Sequence, residues 1–343
     1  MKAAEYLRAG ELVYREITDS HPGPGEVKIA VAWCGICGTD LHIFQGHMDQ
    51  RLSPPQSIGH EMSGWIAEIG ADVTGWQVGD AVTVRPLENC GKCPTCQAGW
   101  THICENLHFL GIETPGAFAE YWTVPASLLH RLPAGMAMEV AALVEPLAVA
   151  CHDVRLADIQ EKDFVVVFGG GPIGILIALA ARKAGGKVTV VEIQPARRAF
   201  AQELGFSVLD PQNEDAVAAV RDATGGSGAD IFFEVSASQA GAAAMTAMTR
   251  PRGKILVVGI FSHPVSVDLH KFFWKELQVR GARVYEKEDF DKAIALAAGG
   301  ELPLSRLITK TWPLAEIQEA FRYLQNGNDA MKVLIRCQEG GVK

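Results

Sequence analysis

Two kinds of hydrophobic pattern divide the chain. Up to about residue 155, short runs such as EVKIAVA (26–32), GWIAEIG (64–70) and DAVTVRP (80–86) cluster or alternate apolar residues between glycine and proline punctuation. That spacing predicts a β-rich region. Beyond it, FVVVFG (164–169), KVTVVEI (187–193), ADIFFEV (229–235) and GKILVVG (253–259) are nearly unbroken apolar runs. Strands of a parallel sheet with both faces covered read this way. Helical stretches alternate with them at 172–185, 195–205, 214–225 and 238–250. Strand and helix in alternation predict an α/β fold with a doubly wound parallel sheet, and ELQVRGARVY (276–285) would close its edge. Amphipathic stretches near 288–299 and 314–326 leave that sheet, and periodicity does not say where they go.

Length and composition narrow the classes. At 343 residues, 48% hydrophobic and 21% charged, the chain is too long for one ordinary core and has no disorder-like bias. A net charge of −9 argues against a nucleic-acid surface, which needs a basic footprint. The opening MKAAEYLRAGELVYREITD has no apolar signal region, and the longest apolar runs, such as ILIALAA (175–181), are too short to span a bilayer. The expectation is a soluble, cytoplasmic protein with no membrane partner. Eight cysteines in such a chain read as metal ligands and buried thiols, not as disulfides. Cys151 and Cys337 are expected to be ordinary buried thiols.

Three glycines carry the next signal. Gly169, Gly171 and Gly174 follow an apolar strand and open a helix, with Pro172 and Ile173 between them. In that context the first glycine permits a tight turn, the second admits a pyrophosphate against the backbone, and the third brings helix to strand. The helix N-terminus then offers unpaired N–H groups to phosphate. Glu192 ends the second strand, 18 residues after Gly174. A carboxylate there accepts hydrogen bonds from a ribose diol and repels a 2′-phosphate, which favours NAD over NADP. Arg197 and Arg198, early in the next helix, could reach a phosphate and keep NADP as the minor alternative.

Six of the eight cysteines carry the next argument, five of them as candidate metal ligands. Cys90, Cys93, Cys96 and Cys104 are spaced C-x2-C-x2-C-x7-C within a loop at 90–104. Four thiolates suit a closed tetrahedral zinc site that orders a loop and leaves no position for substrate. Bacterial iron–sulfur loops space the fourth cysteine more tightly and follow it with proline, whereas Glu105 follows Cys104 here. A different donor set is scattered: Cys37 in GICGTD, the pair His60-Glu61 in IGHE, and Glu145 in LVEPLAVACH. Each alone has a bland reading, a buried thiol or a satisfied core histidine. Together they suit a metal site with one position open for chemistry. Cys34, three residues before Cys37, raises a redox C-x-x-C pair, though in the wrong sequence context for one.

The order GICGTDLH, GHE, the four-cysteine loop, EPLAVACH and GGGPIG resembles the zinc-dependent medium-chain dehydrogenase/reductase family. The carboxylate in GHE and the EP motif are similar to its polyol, butanediol and threonine dehydrogenase branch. The resemblance implies an N-terminal GroES-like catalytic domain (1–155), a Rossmann nucleotide-binding domain (156–285), and a C-terminal segment (286–343) returning to the first. It implies two zinc ions per chain: a catalytic one on Cys37, His60 and Glu61, with Glu145 as fourth ligand or acting through water, and a structural one on the cysteine quartet. Thr39 would hydrogen-bond a substrate hydroxyl and His42 would pass its proton outward. Val258, Gly259 and Ile260 would lie beside the nicotinamide. The activity implied is hydride transfer from a secondary alcohol, a polyol, diol or L-threonine-like substrate, to NAD. L-threonine 3-dehydrogenase is the narrower alternative. A nucleotide-responsive regulator without catalysis is another, although its mark would be lost ligands, and none is lost. A zinc-ribbon interaction module fits only the quartet. Phe44, Trp65, Phe118 and Trp274 are candidate pocket walls, with core packing as the alternative for each. A homodimer or homotetramer is expected, with QVRGARVY as an exposed edge that needs covering.

Overall fold

A computed structural model describes residues 1–327 and 329–338. The chain forms two compact units, Met1–Glu145 together with Glu286–Lys343, and Pro146–Tyr285.

The unit Pro146–Tyr285 is a six-stranded parallel sheet. Its spatial order is Ser207–Leu209, Lys187–Val191, Phe164–Phe168, Ala229–Glu234, Thr249–Val257, Gln278–Gly281. The order reverses direction between Phe164–Phe168 and Ala229–Glu234, the kind of switch point at which such sheets bind ligands beyond their strand ends. Val166, Phe168, Val191, Val220, Phe232, Met245 and Ile255 pack into one buried cluster. Helix starts follow local chemistry: Pro172 opens Pro172–Lys183, and Asp215 and Ser238 cap the helices that follow them.

Two expectations here change. The strand Thr249–Val257 begins before GKILVVG and runs through Pro251, where a register shift relieves the ladder of a hydrogen bond proline cannot donate. The edge strand is only Gln278–Gly281, because Glu276 and Val284 take left-handed backbone on either side of it. Trp274 is not core; it is 67% exposed on the helix Leu269–Lys275, donating its indole N–H to His270 Nε2 at 2.6 Å. Phe44 and Phe118 are core residues of the other unit, both packed against Phe321, while Trp65 is half-buried.

The other unit is β-rich. Its larger sheet has seven strands, with Leu129–Arg131, Ala81–Val84, Glu61–Ile69, Glu26–Gly35, Lys332–Arg336 and Ile308–Pro313 in order and Tyr121–Pro125 also paired to Glu26–Gly35. The C-terminal strand Lys332–Arg336 thus lies antiparallel beside the far end of Glu26–Gly35. Register places Gly35 opposite Glu61 on one side and Leu334 on the other. A smaller sheet joins Glu11–Glu16, Lys2–Arg8 and Gln56–Ser57. Among the described residues, no helix is long and apolar enough to cross a membrane.

Candidate active site and metal centres

The strand Glu26–Gly35 delivers the first donor. It runs out at Gly35, and Cys37 then precedes the short helix Gly38–Phe44. The Cys37 N–H donates to Asp40 Oδ2 at 2.9 Å, so the helix start is tied down by a fully buried carboxylate. His60 and Glu61 come from the start of the neighbouring strand Glu61–Ile69. The Cys37 sulfur, a His60 nitrogen and a Glu61 oxygen all lie within 4.8 Å of one another.

The electrostatics suit a cation. His60 Nδ1 faces Asp40 Oδ1 at 3.6 Å, and neither buried atom has a hydrogen-bond partner among the described residues. Burial alone would lower the His60 pKa, but Asp40 and the Cys37 thiol drive it up to about 10. Burial also lifts Asp40 to about 6, despite His60 opposing it. Anionic donors around a buried imidazole hold a proton where a metal would serve them better. One thiol, one imidazole and one carboxylate, nearly dry, are a donor set that zinc accepts while keeping a coordination position open.

Glu145 lies in the first turn of the helix Val144–Ala157, is buried, and raises the His60 pKa through space, but it stands outside the group of three. Thr39 and His42 ride on Gly38–Phe44: Thr39 is half-buried, and His42 is exposed with its ring 5.8 Å from that of His47.

Two residues in this site had not been picked out of the sequence. Asp40 is one; its spacing three residues after Cys37, at a helix start, is a capping signal that could have found it. Lys332 is the other. It is 4% exposed, its ammonium ion-pairs with the Glu61 carboxylate, and its Nζ donates to the Ile36 carbonyl at 3.1 Å. Burial would lower the Lys332 pKa, yet Glu61 and then Cys37 hold it above its ordinary value. Room for the pair exists because position 35 is glycine: a Cβ there would overlap Glu61 Oε2 and come within 3.0 Å of Lys332 Cε.

The quartet Cys90, Cys93, Cys96 and Cys104 converges to the same 4.8 Å limit. Cys104 Sγ lies 3.5 Å from Cys90 Sγ and 3.8 Å from Cys93 Sγ. Backbone N–H groups aim at the sulfurs, Cys93 N at Cys90 Sγ and Cys96 N at Cys93 Sγ, each at 3.4 Å. The Lys92 and Cys93 N–H groups pull the Cys90 thiol down to about 6, whereas burial and the neighbouring thiols push Cys96 up to about 12. Four sulfurs this close cannot all ionise without a cation between them. No disulfide joins any of the eight cysteines, and Cys151 and Cys337 are buried.

In the nucleotide unit, Gly169 adopts φ +114°, and a side chain at Gly174 would overlap the Gly169 carbonyl. Glu192 is buried, accepting from Gly170 N and Gln194 N at 2.7 Å each. Arg198 is committed to Asp210 at 2.8 Å, while the Arg197 guanidinium lies beside Gly171. Val258 and Gly259 donate their N–H groups to the Glu234 carbonyl at 2.9 Å each, and Ile260 is 80% exposed. Pro172 and Ile173 begin a helix whose N-terminus no side chain caps.

Known proteins share this fold. Residues 23–134 match the family described as the alcohol dehydrogenase GroES-like domain, and residues 172–299 match the zinc-binding dehydrogenase family. A relative from Pseudoalteromonas atlantica, described as 2-dehydro-3-deoxy-L-galactonate 5-dehydrogenase, is 49% identical over 98% of this chain and 99% of its own length. L-galactonate-5-dehydrogenase of Escherichia coli is 34% identical over 95% of this chain and 96% of its own. The crystal structure of 2R,3R-butanediol dehydrogenase from Bacillus subtilis superposes with a TM-score of 0.91 at 33% identity, covering 98% and 99% of the two chains. The chain belongs to the zinc-dependent medium-chain dehydrogenase family, with a GroES-like domain and a Rossmann domain. It is an oxidoreductase that removes hydride from a secondary alcohol.

Proposed function

We propose that the substrate is a linear sugar acid, oxidised at a secondary hydroxyl far from its carboxylate, with NAD as acceptor. The observation that carries the chemistry is the convergence of Cys37, His60 and Glu61 within 4.8 Å. The preference for a sugar acid over a simple diol is supported by the 49% identical relative, whose name specifies oxidation at carbon 5 of a 3-deoxy-2-keto sugar acid.

Cys37, His60 and Glu61 would hold a catalytic zinc, with Glu145 as a further donor at its margin, and the cysteine quartet would hold a structural one. A bound zinc supplies Lewis acidity that brings a hydroxyl's pKa within reach of neutral pH. Asp40 faces His60 Nδ1 at 3.6 Å, where a carboxylate would orient a metal-binding imidazole. Thr39, half-buried one helical turn from the exposed His42, takes the substrate proton and passes it toward that ring and solvent. Gly169, Gly171 and Gly174 make room for the pyrophosphate at the N-terminus of Pro172–Lys183, where Arg197 adds charge. Glu192, held by two backbone amides, meets the ribose diol and repels a 2′-phosphate. Val258, Gly259 and Ile260 present backbone to the nicotinamide. Two copies would pair along the exposed edge Gln278–Gly281, and the reduced thiols suit a cytoplasmic home.

The test is reduced-cofactor formation by zinc-loaded protein on 2-dehydro-3-deoxy-L-galactonate, L-galactonate, sorbitol, 2R,3R-butanediol and L-threonine, each with NAD and with NADP. Turnover is expected to be greatest on the sugar acids with NAD and to fall about 100-fold or more in Cys37→Ser. Preference for butanediol or L-threonine would overturn the substrate reading, and preference for NADP the cofactor reading.

A further inference from the structure

A buried ammonium is costly unless it is paired, and Lys332 is paired with a residue that the reading above assigns to the metal. We propose that Lys332 is a positioning residue that shares the Glu61 carboxylate with the catalytic metal, weakening that carboxylate's hold on the ion. The inference rests on Cys37, His60 and Glu61 being metal ligands.

Three observations carry it. Lys332 cannot swing away, because it belongs to the strand Lys332–Arg336, its Nζ also bonds the Ile36 carbonyl, and Ile36 N bonds the Val333 carbonyl at 3.0 Å. Glu61 is equally confined, at 1% exposed and opposite Gly35 in the ladder. The absence of a side chain at Gly35 leaves the space in which the two heads meet. A carboxylate gripped from one side by a fixed cation donates less charge to a second cation on the other. With Cys37 and Glu61 ionised, the donor set carries two negative charges, and Lys332 cancels one of them. A metal entering the site therefore competes with Lys332 for Glu61, and that ligand is the one poised to loosen.

Metal affinity tests this on the full-length protein. Zinc is titrated against a chromophoric chelator, with the cysteine quartet as an internal second site, for wild type, Lys332→Met, Lys332→Arg, Glu61→Gln and the Met/Gln double variant. Lys332→Met keeps most of the side chain's length and removes the charge, so the catalytic site should bind zinc about tenfold tighter or more. Lys332→Arg should bind as wild type does. In the Glu61→Gln background, Lys332→Met should tighten binding much less, since only the ammonium's effect on Cys37 and its direct repulsion of the metal remain. Should Lys332→Met fail to fold, Lys332→Gln, able to keep the bond to Ile36, carries the same expectation. Unchanged or weaker binding in the neutral variants overturns the proposal, as does equal tightening with and without Glu61. If wild type takes up only one zinc and Cys37→Ser does not alter that, the ligand assignment itself falls.

Discussion

His130 shows how a buried side chain ties stability to pH. It sits on the strand Leu129–Arg131, its Nδ1 lies 2.8 Å from Asp291 Oδ1, and its ring packs on Phe290 at 4.7 Å. Burial pushes its pKa below the usual 6.5, outweighing the pull of Asp291. The folded state therefore binds fewer protons at this site than the unfolded chain does, and stability rises with pH through that region. The denaturant midpoint should drop as pH falls from about 7 to about 5, and His130→Gln should flatten part of that drop. An equal drop in the variant would rule the histidine out as a source. Glu192 makes a second residue-level case. Glu192→Ala strips the acceptor from Gly170 N and Gln194 N and removes the charge facing a 2′-phosphate. The KM for NAD should rise about tenfold while the preference over NADP shrinks, and an unchanged cofactor ratio would count against its role. Legibility at this scale follows locality. Cys37, His60 and Glu61 were readable because each sits in a short motif. Lys332 was not, since a lysine opening KVLIR looks like any strand-end charge until the fold carries it to Glu61, 271 positions away.

Elements differ in how much of themselves they advertise. Phe164–Phe168 and Lys187–Val191 were plain as unbroken apolar runs, because helices cover both their faces. The edge strand Gln278–Gly281 was overlong in the sequence reading, because VRGARV has strand-like composition and nothing local marks the left-handed turn at Val284. Trp274 misled for a related reason: aromatic content suggests burial, but the helix Leu269–Lys275 turns Leu269, Phe273 and Trp274 outward next to that open edge. Such a grouping of exposed apolar side chains beside unpaired backbone calls for a partner. Val279→Asp should reduce the assembly to a smaller species by sedimentation velocity, whereas a wild type that is already monomeric would refute edge pairing. The cysteine loop behaves as a separate element. Cys96→Ser should lower the thermal midpoint more than it lowers turnover of the protein that remains folded, and the reverse ranking would place that zinc in the chemistry.

At the scale of the whole molecule, the order of motifs was enough to expect a GroES-like domain and a Rossmann domain, and the family matches agree. Periodicity could not supply the destination of the segment after residue 285, since an amphipathic helix does not say which core it covers; only the family resemblance implied a return to the first domain. The structure answers with Phe321 against Phe44 and Phe118, and with Lys332–Arg336 in the ladder beside Trp33–Gly35. Metal analysis of the intact protein should find two zinc ions per chain, falling to one in Cys37→Ser. That late strand also has a bearing on biosynthesis. While the ribosome is still threading out the nucleotide-binding unit, the Trp33–Gly35 end of an early strand waits without its neighbour, and Glu61 waits without its ammonium. A region translated early is therefore among the last to be finished. A nascent chain halted before Lys332 would present an open strand end and an uncompensated acidic pocket to the cell's quality control.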